Sequence, residues 1–216
     1  DVDAIYHNGA QVHFLHPYET LKPANVLGTI EVLRLATTTR LKPVQFVSTL
    51  SVIAGIGQGR AAREDDRNDR PDLLENGYCQ SKWVAERLVW AAHDRGVPVS
   101  IVRPGRIVWH SRSGALNHDD VFTRALRACI QLGAVPALDA TLEMTPVDFV
   151  SAATVAIGLK GSARGRAYHL FNPQFVRLRR LLDWVRAAGY PLEILPAEQW
   201  LAQINEWRGE SIERDI

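Results

Sequence analysis

An α/β fold with a parallel sheet is what this sequence predicts, and three observations predict it. Short apolar runs at residues 2–6, 44–48 and 98–103 alternate with helix-spaced apolar patterns at 23–38 and 77–95. Turn-forming pairs, Asn8-Gly9 and Pro104-Gly105, close the first and third runs. Strand, helix, strand, helix, strand at this rhythm indicates βαβ units, whose strands run parallel. The chain has 216 residues, 46% hydrophobic and 23% charged, enough to bury a core without staples.

Each element has its own warrant. Residues 2–6 (Val-Asp-Ala-Ile-Tyr) read as a buried strand. In 23–38, Val26, Leu27, Ile30, Leu33 and Leu35 recur at helical spacing, and Pro23 suits a first turn, where its missing N–H is not needed. Lys42-Pro43 opens the second strand at 44–48. The second helix, 77–95, stops at Gly96, and the third strand carries Val99, Ile101 and Val102. Beyond Gly105 the pattern loosens. Helices are expected at 119–132 and 148–159, a short strand at 167–171, and weaker helices at 178–188 and 197–207. Residues 60–72 mix four arginines with five acids and read as a solvated loop with no binding role.

Composition excludes some functions. Lys plus Arg is 25 against 24 for Asp plus Glu, so no basic excess exists to neutralise a nucleic-acid backbone. Two cysteines, Cys79 and Cys129, make no disulfide framework and fit a reducing compartment, the cytoplasm. No apolar run reaches the roughly 18 residues of a membrane span.

Tyr78 and Lys82 carry the chemistry. A spacing of four puts both side chains on one helix face. A phenol with a pKa near 10 is a poor acid at neutral pH, and a Lys ammonium one turn away is expected to bring it down. Thr49 ends the strand Phe46-Val47-Ser48-Thr49. The carboxyl ends of parallel strands are where open α/β sheets bind ligands. His7-Asn8-Gly9-Ala10 and Arg103-Pro104-Gly105-Arg106-Ile107 end the other two strands at the same edge.

Together His7-Asn8-Gly9-Ala10, Asn25-Val26-Leu27-Gly28-Thr29, Ser48-Thr49-Leu50-Ser51-Val52, Tyr78-x-x-x-Lys82 and Arg103-Pro104-Gly105-Arg106-Ile107 resemble an extended short-chain dehydrogenase/reductase, over roughly residues 1–172. Within that superfamily, three stretches are most similar to the thioester reductase domains that end nonribosomal peptide synthetases and carboxylic acid reductases. They are Phe46-Val47-Ser48-Thr49-Leu50-Ser51-Val52, Gly77-Tyr78-x-Gln80-Ser81-Lys82-Trp83-Val84-Ala85-Glu86, and Thr145-Pro146-Val147-Asp148-Phe149-Val150.

The resemblance implies a doubly wound, Rossmann-like parallel sheet. Residues 1–110 would be the catalytic part of an NAD(P)-binding domain. Residues 111–216 would form a small, irregular α/β substrate region interleaved back onto the sheet. It implies catalysis by Thr49, Tyr78 and Lys82. Tyr78 would protonate a carbonyl oxygen, Thr49 would hydrogen-bond that oxygen, and Lys82 would hold the nicotinamide ribose. NADPH would contact Asn8, Gly9, Ala10, Asn25, Ser48, Tyr78, Lys82, Pro104, Gly105 and Ile107. The partners implied are a phosphopantetheine-bearing carrier domain and its acyl thioester. The family's first βαβ unit, with its glycine-rich phosphate turn, has no counterpart in these residues. The chain is therefore expected to be an N-terminally truncated fragment that alone binds NADPH poorly and turns over little.

Other readings are weaker. Gly55-Ile56-Gly57-Gln58-Gly59-Arg60 resembles a phosphate loop, but Arg60 stands where Gly or Ala is needed; a flexible turn is expected. His7, His13 and His16 have no carboxylate or Cys to complete a metal set. Arg103 is expected to pack under the cofactor pocket, and Cys79 to face away from the chemistry. A nucleotide-sugar epimerase or dehydratase would share the Thr, Tyr and Lys, but Ser51-Val52-Ile53-Ala54-Gly55 departs from the Val-Tyr-Gly usual there. A non-catalytic sensor of the same fold is the other alternative.

Overall fold

The structure, a computed structural model, describes residues 2–54, 56 and 60–207. Four parallel strands position the site: β1 (Ile5–His7), β2 (Val44–Val47), β3 (Val99–Pro104) and β4 (Arg166–Leu170), adjacent in that order. Ile5 pairs with Val44, Val44 with Val99, and Ser100 with Arg166. The order of residues along each strand decides which layer they enter. Val44, Phe46, Val99, Ile101 and Ala167 pack against Ala36 of helix α2 (Gly28–Thr37) and against Ala85, Val89 and Trp90 of helix α3 (Gly77–His93). Val47, Val102, Tyr168 and Leu170 pack against Val150, Ala153 and Ile157 of helix α4 (Val147–Gly158). Helices thus cover both faces of the parallel sheet.

The first helical segment differs from the sequence expectation. Helix begins at Tyr18, runs to Lys22, and passes through a π-helical turn at Pro23–Leu27 into α2. Pro23 is therefore inside a helical run, not at its start. It cannot donate to the carbonyl of residue 19, and its ring would clash there. The wider turn removes the conflict: the Gly28 N–H bonds the Pro23 carbonyl, five residues back.

The described residues form two compact units, 2–107 with 145–171, and 108–144 with 172–207. The second holds a helix at Val121–Leu132, capped by the Asp120 carboxylate, which accepts from the Thr123 N–H at 2.9 Å, and ended by Gly133 at φ 70°. Glycine takes that left-handed conformation without strain. Its strands Ala134–Pro136 and Glu193–Leu195 pair in parallel. Val135, Leu182 and Leu192 form its core, with helix Leu178–Ala187 across them.

Candidate active site

Helix α3 begins where the Asn76 side chain accepts from the Cys79 N–H at 3.0 Å. Tyr78, Lys82, Glu86 and Trp90 follow at four-residue spacing, all buried. One face of α3 thus carries a phenol, an ammonium, a carboxylate and an indole in register. Tyr78 packs with Leu21, Leu74 and Cys79, and the Phe14 ring meets it edge-on at 5.3 Å. Thr49 lies just past the end of β2. Its side chain accepts from the Ser51 N–H at 3.2 Å and donates to the Ser51 hydroxyl at 3.3 Å, and it lies near enough to the Tyr78 hydroxyl to favour the phenolate. The structure therefore brings Thr49 and Tyr78 together.

Lys82 is handled differently from the expectation. Its Nζ donates to the Val47 carbonyl at 2.8 Å and sits 4.4 Å from the Phe46 ring centre. Burial pushes the Tyr78 phenol up to about 12, with the Thr49 hydrogen bond pulling the other way. The Lys82 charge is not among the causes of that shift, and the net direction is upward. The reason is geometric: Lys82 is turned onto the carboxyl end of β2. Burial brings Lys82 down to about 8, and the Glu86 carboxylate opposes that.

At the end of β1 the His7 Nε2 lies 2.9 Å from the Thr29 hydroxyl. Burial and the nearby Lys82 charge hold the imidazole down to about 4, so it is neutral. Asn8, Gly9 and Ala10 follow as an exposed loop. Asn25 is buried, and its amide is committed to protein. Its Oδ1 accepts from the Gln11 N–H at 2.7 Å, and its Nδ2 donates to the Gln11 carbonyl at 3.0 Å and to the Ser81 hydroxyl at 2.9 Å. Asn25 thus ties the loop after β1 to α3. Pro104 is buried, the Gly105 N–H bonds the Leu170 carbonyl at 2.9 Å, and Ile107 is exposed. Among the described contacts none joins these three to Thr49, Tyr78 or Lys82.

The donor set at this edge suits a nicotinamide ribose. Of the three N–H donors on the buried Lys82 ammonium, the described residues engage one, through Val47 at the carboxyl end of β2. Small residues at Gly9 and Ala10 let a ligand approach the backbone.

Two features escape a sequence reading. Ser48 donates to the Glu86 Oε2 at 2.5 Å, and Arg103, fully buried, donates to Glu86 at 2.6 Å. The 60–72 segment is anchored and not simply solvated. The Glu64 and Asp66 carbonyls accept from Arg103, the Asn68 Nδ2 donates to the Val52 carbonyl at 2.9 Å, and Trp83 donates to the Asn68 carbonyl at 2.8 Å. The available signal was Glu86, four residues past Lys82, together with an arginine inside the buried strand Val99–Pro104. The glycine-rich stretch 55–60 lies outside the described residues except for Ile56 and Arg60. His13 and His16 stack at 3.5 Å, and among the described residues no group of three or more His, Cys, Asp or Glu is placed to hold a metal. No described helix is long and apolar enough to cross a membrane.

A parallel sheet wound on both faces, with threonine, tyrosine and lysine gathered at the carboxyl ends of its strands, defines the Rossmann-like short-chain reductase class. The chain belongs to the NAD-binding family described as Male sterility protein, which matches residues 1–154. It is 40% identical over 207 residues to a linear gramicidin synthase of Brevibacillus parabrevis, covering 95% of this chain and 4% of that protein. It is 35% identical over 220 residues to the L-2-aminoadipate reductase of Penicillium chrysogenum (its large chain), covering 95% of this chain and 16% of that one. The solved terminal R domain from the myxalamid PKS-NRPS pathway superposes with a TM-score of 0.87 at 52% identity, over 95% of this chain and 52% of that one. The chain thus spans about half of that domain and a small share of the two curated relatives.

Proposed function

We propose that this chain carries the reacting groups of an NADPH-dependent thioester reductase, which releases a carrier-bound acyl or peptidyl chain as an aldehyde, or further as an alcohol. The observation that carries this reading is the Thr49–Tyr78 hydroxyl pair on the same strand edge as the buried Lys82. The likeness to reductase domains of peptide synthetases supports the thioester as substrate, and a phosphopantetheine-bearing carrier as partner. Two cysteines without a disulfide fit the cytoplasm.

A bound nicotinamide supplies the hydride. The chain's own groups do the rest. Thr49 and Tyr78 offer two hydroxyls to one substrate oxygen, where negative charge develops as the acyl carbon becomes tetrahedral. Removing one such donor typically costs about 10²–10³ in kcat. With its pKa at about 12, Tyr78 stays protonated across the working range, which suits a group that gives its proton to that oxygen. Lys82 would hold the ribose hydroxyls with its two remaining N–H donors. Asn8, Gly9, Ala10, Ser48, Pro104, Gly105 and Ile107 would border the cofactor. The hemithioacetal then collapses: Tyr78 takes its proton back from the oxygen, the C=O re-forms, and the C–S bond breaks, its electron pair leaving with the phosphopantetheine sulfur. The second unit, 108–144 with 172–207, would receive the substrate.

The test is to give the native protein carrying this chain NADPH with an acyl-carrier thioester or acyl-CoA surrogate. NADPH is consumed and aldehyde can be trapped; Tyr78→Phe binds cofactor without turnover. Isomerisation of a nucleotide sugar with thioesters ignored marks an epimerase instead. Cofactor binding without oxidation marks a sensor.

A further inference from the structure

We propose that Glu86 and Arg103 form a positioning pair for this site: their buried ion pair holds the Ser48–Thr49 end of β2 against α3, and locks the 60–72 segment and β4 to the same point. This rests on the reading of Thr49, Tyr78 and Lys82 as the reacting groups.

Arg103 is the largest fully buried side chain of the described residues. A buried guanidinium is tolerated only when its donors are satisfied, and here all five are. Its Nε lies 3.2 Å from both Glu86 oxygens. Its Nη2 donates to Glu86 Oε1 at 2.6 Å and to the Asp66 carbonyl at 3.1 Å. Its Nη1 donates to the Glu64 carbonyl at 3.2 Å and to His169 Nε2 at 3.3 Å. Glu86 is equally saturated: Oε2 accepts the Ser48 hydroxyl and Oε1 also accepts the Trp90 indole N–H at 3.3 Å. Glu64 adds a further tie, its Oε1 accepting from the His169 N–H at 2.8 Å. One carboxylate and one guanidinium thus join β2, β3, β4, α3 and the 60–72 segment.

The location distinguishes this pair from a generic stabilising contact. Stability alone does not require a buried ion pair, which apolar residues of similar volume often replace without loss. Glu86 grips Ser48, the residue before Thr49. The Ser48 N–H bonds the Val102 carbonyl at 2.7 Å, so Ser48 is held by backbone and side chain together. Past Thr49, the Asn68 amide holds the Val52 carbonyl, closing the segment that Arg103 grips back onto the turn at Leu50–Ile53. Thr49 therefore sits between two anchored points.

The pair also sets charge. Glu86 is one turn from Lys82 on α3 and favours its ammonium. The other titratable groups nearby are His7 from β1, Tyr78 from α3, Arg103 from β3, His169 from β4, and Glu64 and Asp66 from the 60–72 segment.

Glu86→Gln keeps the shape and removes the charge. In the native protein carrying this chain, we expect kcat for thioester reduction to fall by about 10- to 10²-fold, the range a small misplacement of reacting groups costs, while KM for the thioester stays within about twofold. The alkaline limb of the pH profile should move to lower pH, because Lys82 loses the carboxylate that favours its charged form. Ser48→Ala should lower kcat without moving that limb. Circular dichroism and thermal unfolding confirm that each variant is folded. A folded Glu86→Gln with wild-type kcat and pH profile overturns the proposal. Should Glu86→Gln not fold, Ser48→Ala decides: kcat lowered with NADPH affinity unchanged supports the pair, whereas unchanged kcat, or a loss that tracks weakened NADPH affinity, overturns it. If the wild type reduces no thioester, the functional reading falls, and NMR titration of the Lys82 Nζ tests the pair alone. A lower midpoint in Glu86→Gln supports it, and an unmoved midpoint overturns it.

Discussion

Gly77→Ala tests the packing that seats Tyr78. Gly77 is the first residue of α3, and the chain at 16–18 crosses directly over it. A Cβ there would stand 2.5 Å from the His16 carbonyl oxygen and 2.6 Å from the Pro17 carbonyl carbon, and closer still to the Tyr18 nitrogen. Ordinary carbon contacts lie at about 3.5–4.0 Å, so the crossing backbone must move by roughly 1 Å. Alanine is the better helix former by about 1 kcal/mol at most. Overpacking against backbone costs about 1–3 kcal/mol, and here the yielding atoms are not a flexible side-chain tip, so the upper half of that range applies. Net destabilisation of about 1–2 kcal/mol is expected, which lowers Tm by roughly 2–8 °C in a chain of this size. The assay is denaturant and thermal unfolding of the chain beside Gly161→Ala, where an added Cβ meets nothing within 4 Å and the change should stay within about 0.5 kcal/mol. If Gly77→Ala matches wild type, or Gly161→Ala is the more damaging, the crossing is not tight and the reasoning fails.

Two further predictions follow from buried polar groups. His7 titrates at about 4 in the fold against 6.5 unfolded. Between those values the unfolded state takes up a proton that the native state does not, so stability falls as pH drops through that window, by at most about 3 kcal/mol. Urea titrations at several pH values should show that slope in wild type and a flatter one in His7→Gln; equal slopes contradict it. Asn25→Ala removes three hydrogen bonds and leaves both Gln11 backbone groups without their partner. A loss of about 3 kcal/mol and faster exchange of the Gln11 amide are expected, and unchanged protection at Gln11 would falsify the anchoring role.

Much of the sheet was legible because its signals are local. The strands at 44–47 and 99–104 are short runs rich in valine and isoleucine, and α3 is marked by the four-residue spacing of Tyr78 and Lys82 and by its stop at Gly96. The early start of the helix at Tyr18 was not legible, since Pro23 reads locally as a beginning and only the π-helical turn lets the chain continue through it. In the site, Tyr78 and Lys82 were readable from spacing, but the direction of the Lys82 ammonium was not. Spacing fixes the helix face, whereas Val47 and Phe46, more than thirty residues earlier, decide where the Nζ goes. The 60–72 segment looked solvated because its charges alternate in sign. Its anchoring depends on its backbone carbonyls and on Arg103, which sequence composition does not register.

The most direct measurement follows the hydrogen itself. The native protein carrying this chain is given NADPH deuterated on its transferable position together with a carrier-bound acyl thioester, and the released product is analysed by mass spectrometry. The account predicts an aldehyde carrying deuterium on its carbonyl carbon, formed by wild type and lost in Tyr78→Phe while cofactor affinity persists. Labelled aldehyde released at the wild-type rate by Tyr78→Phe, or none released by wild type, would contradict it.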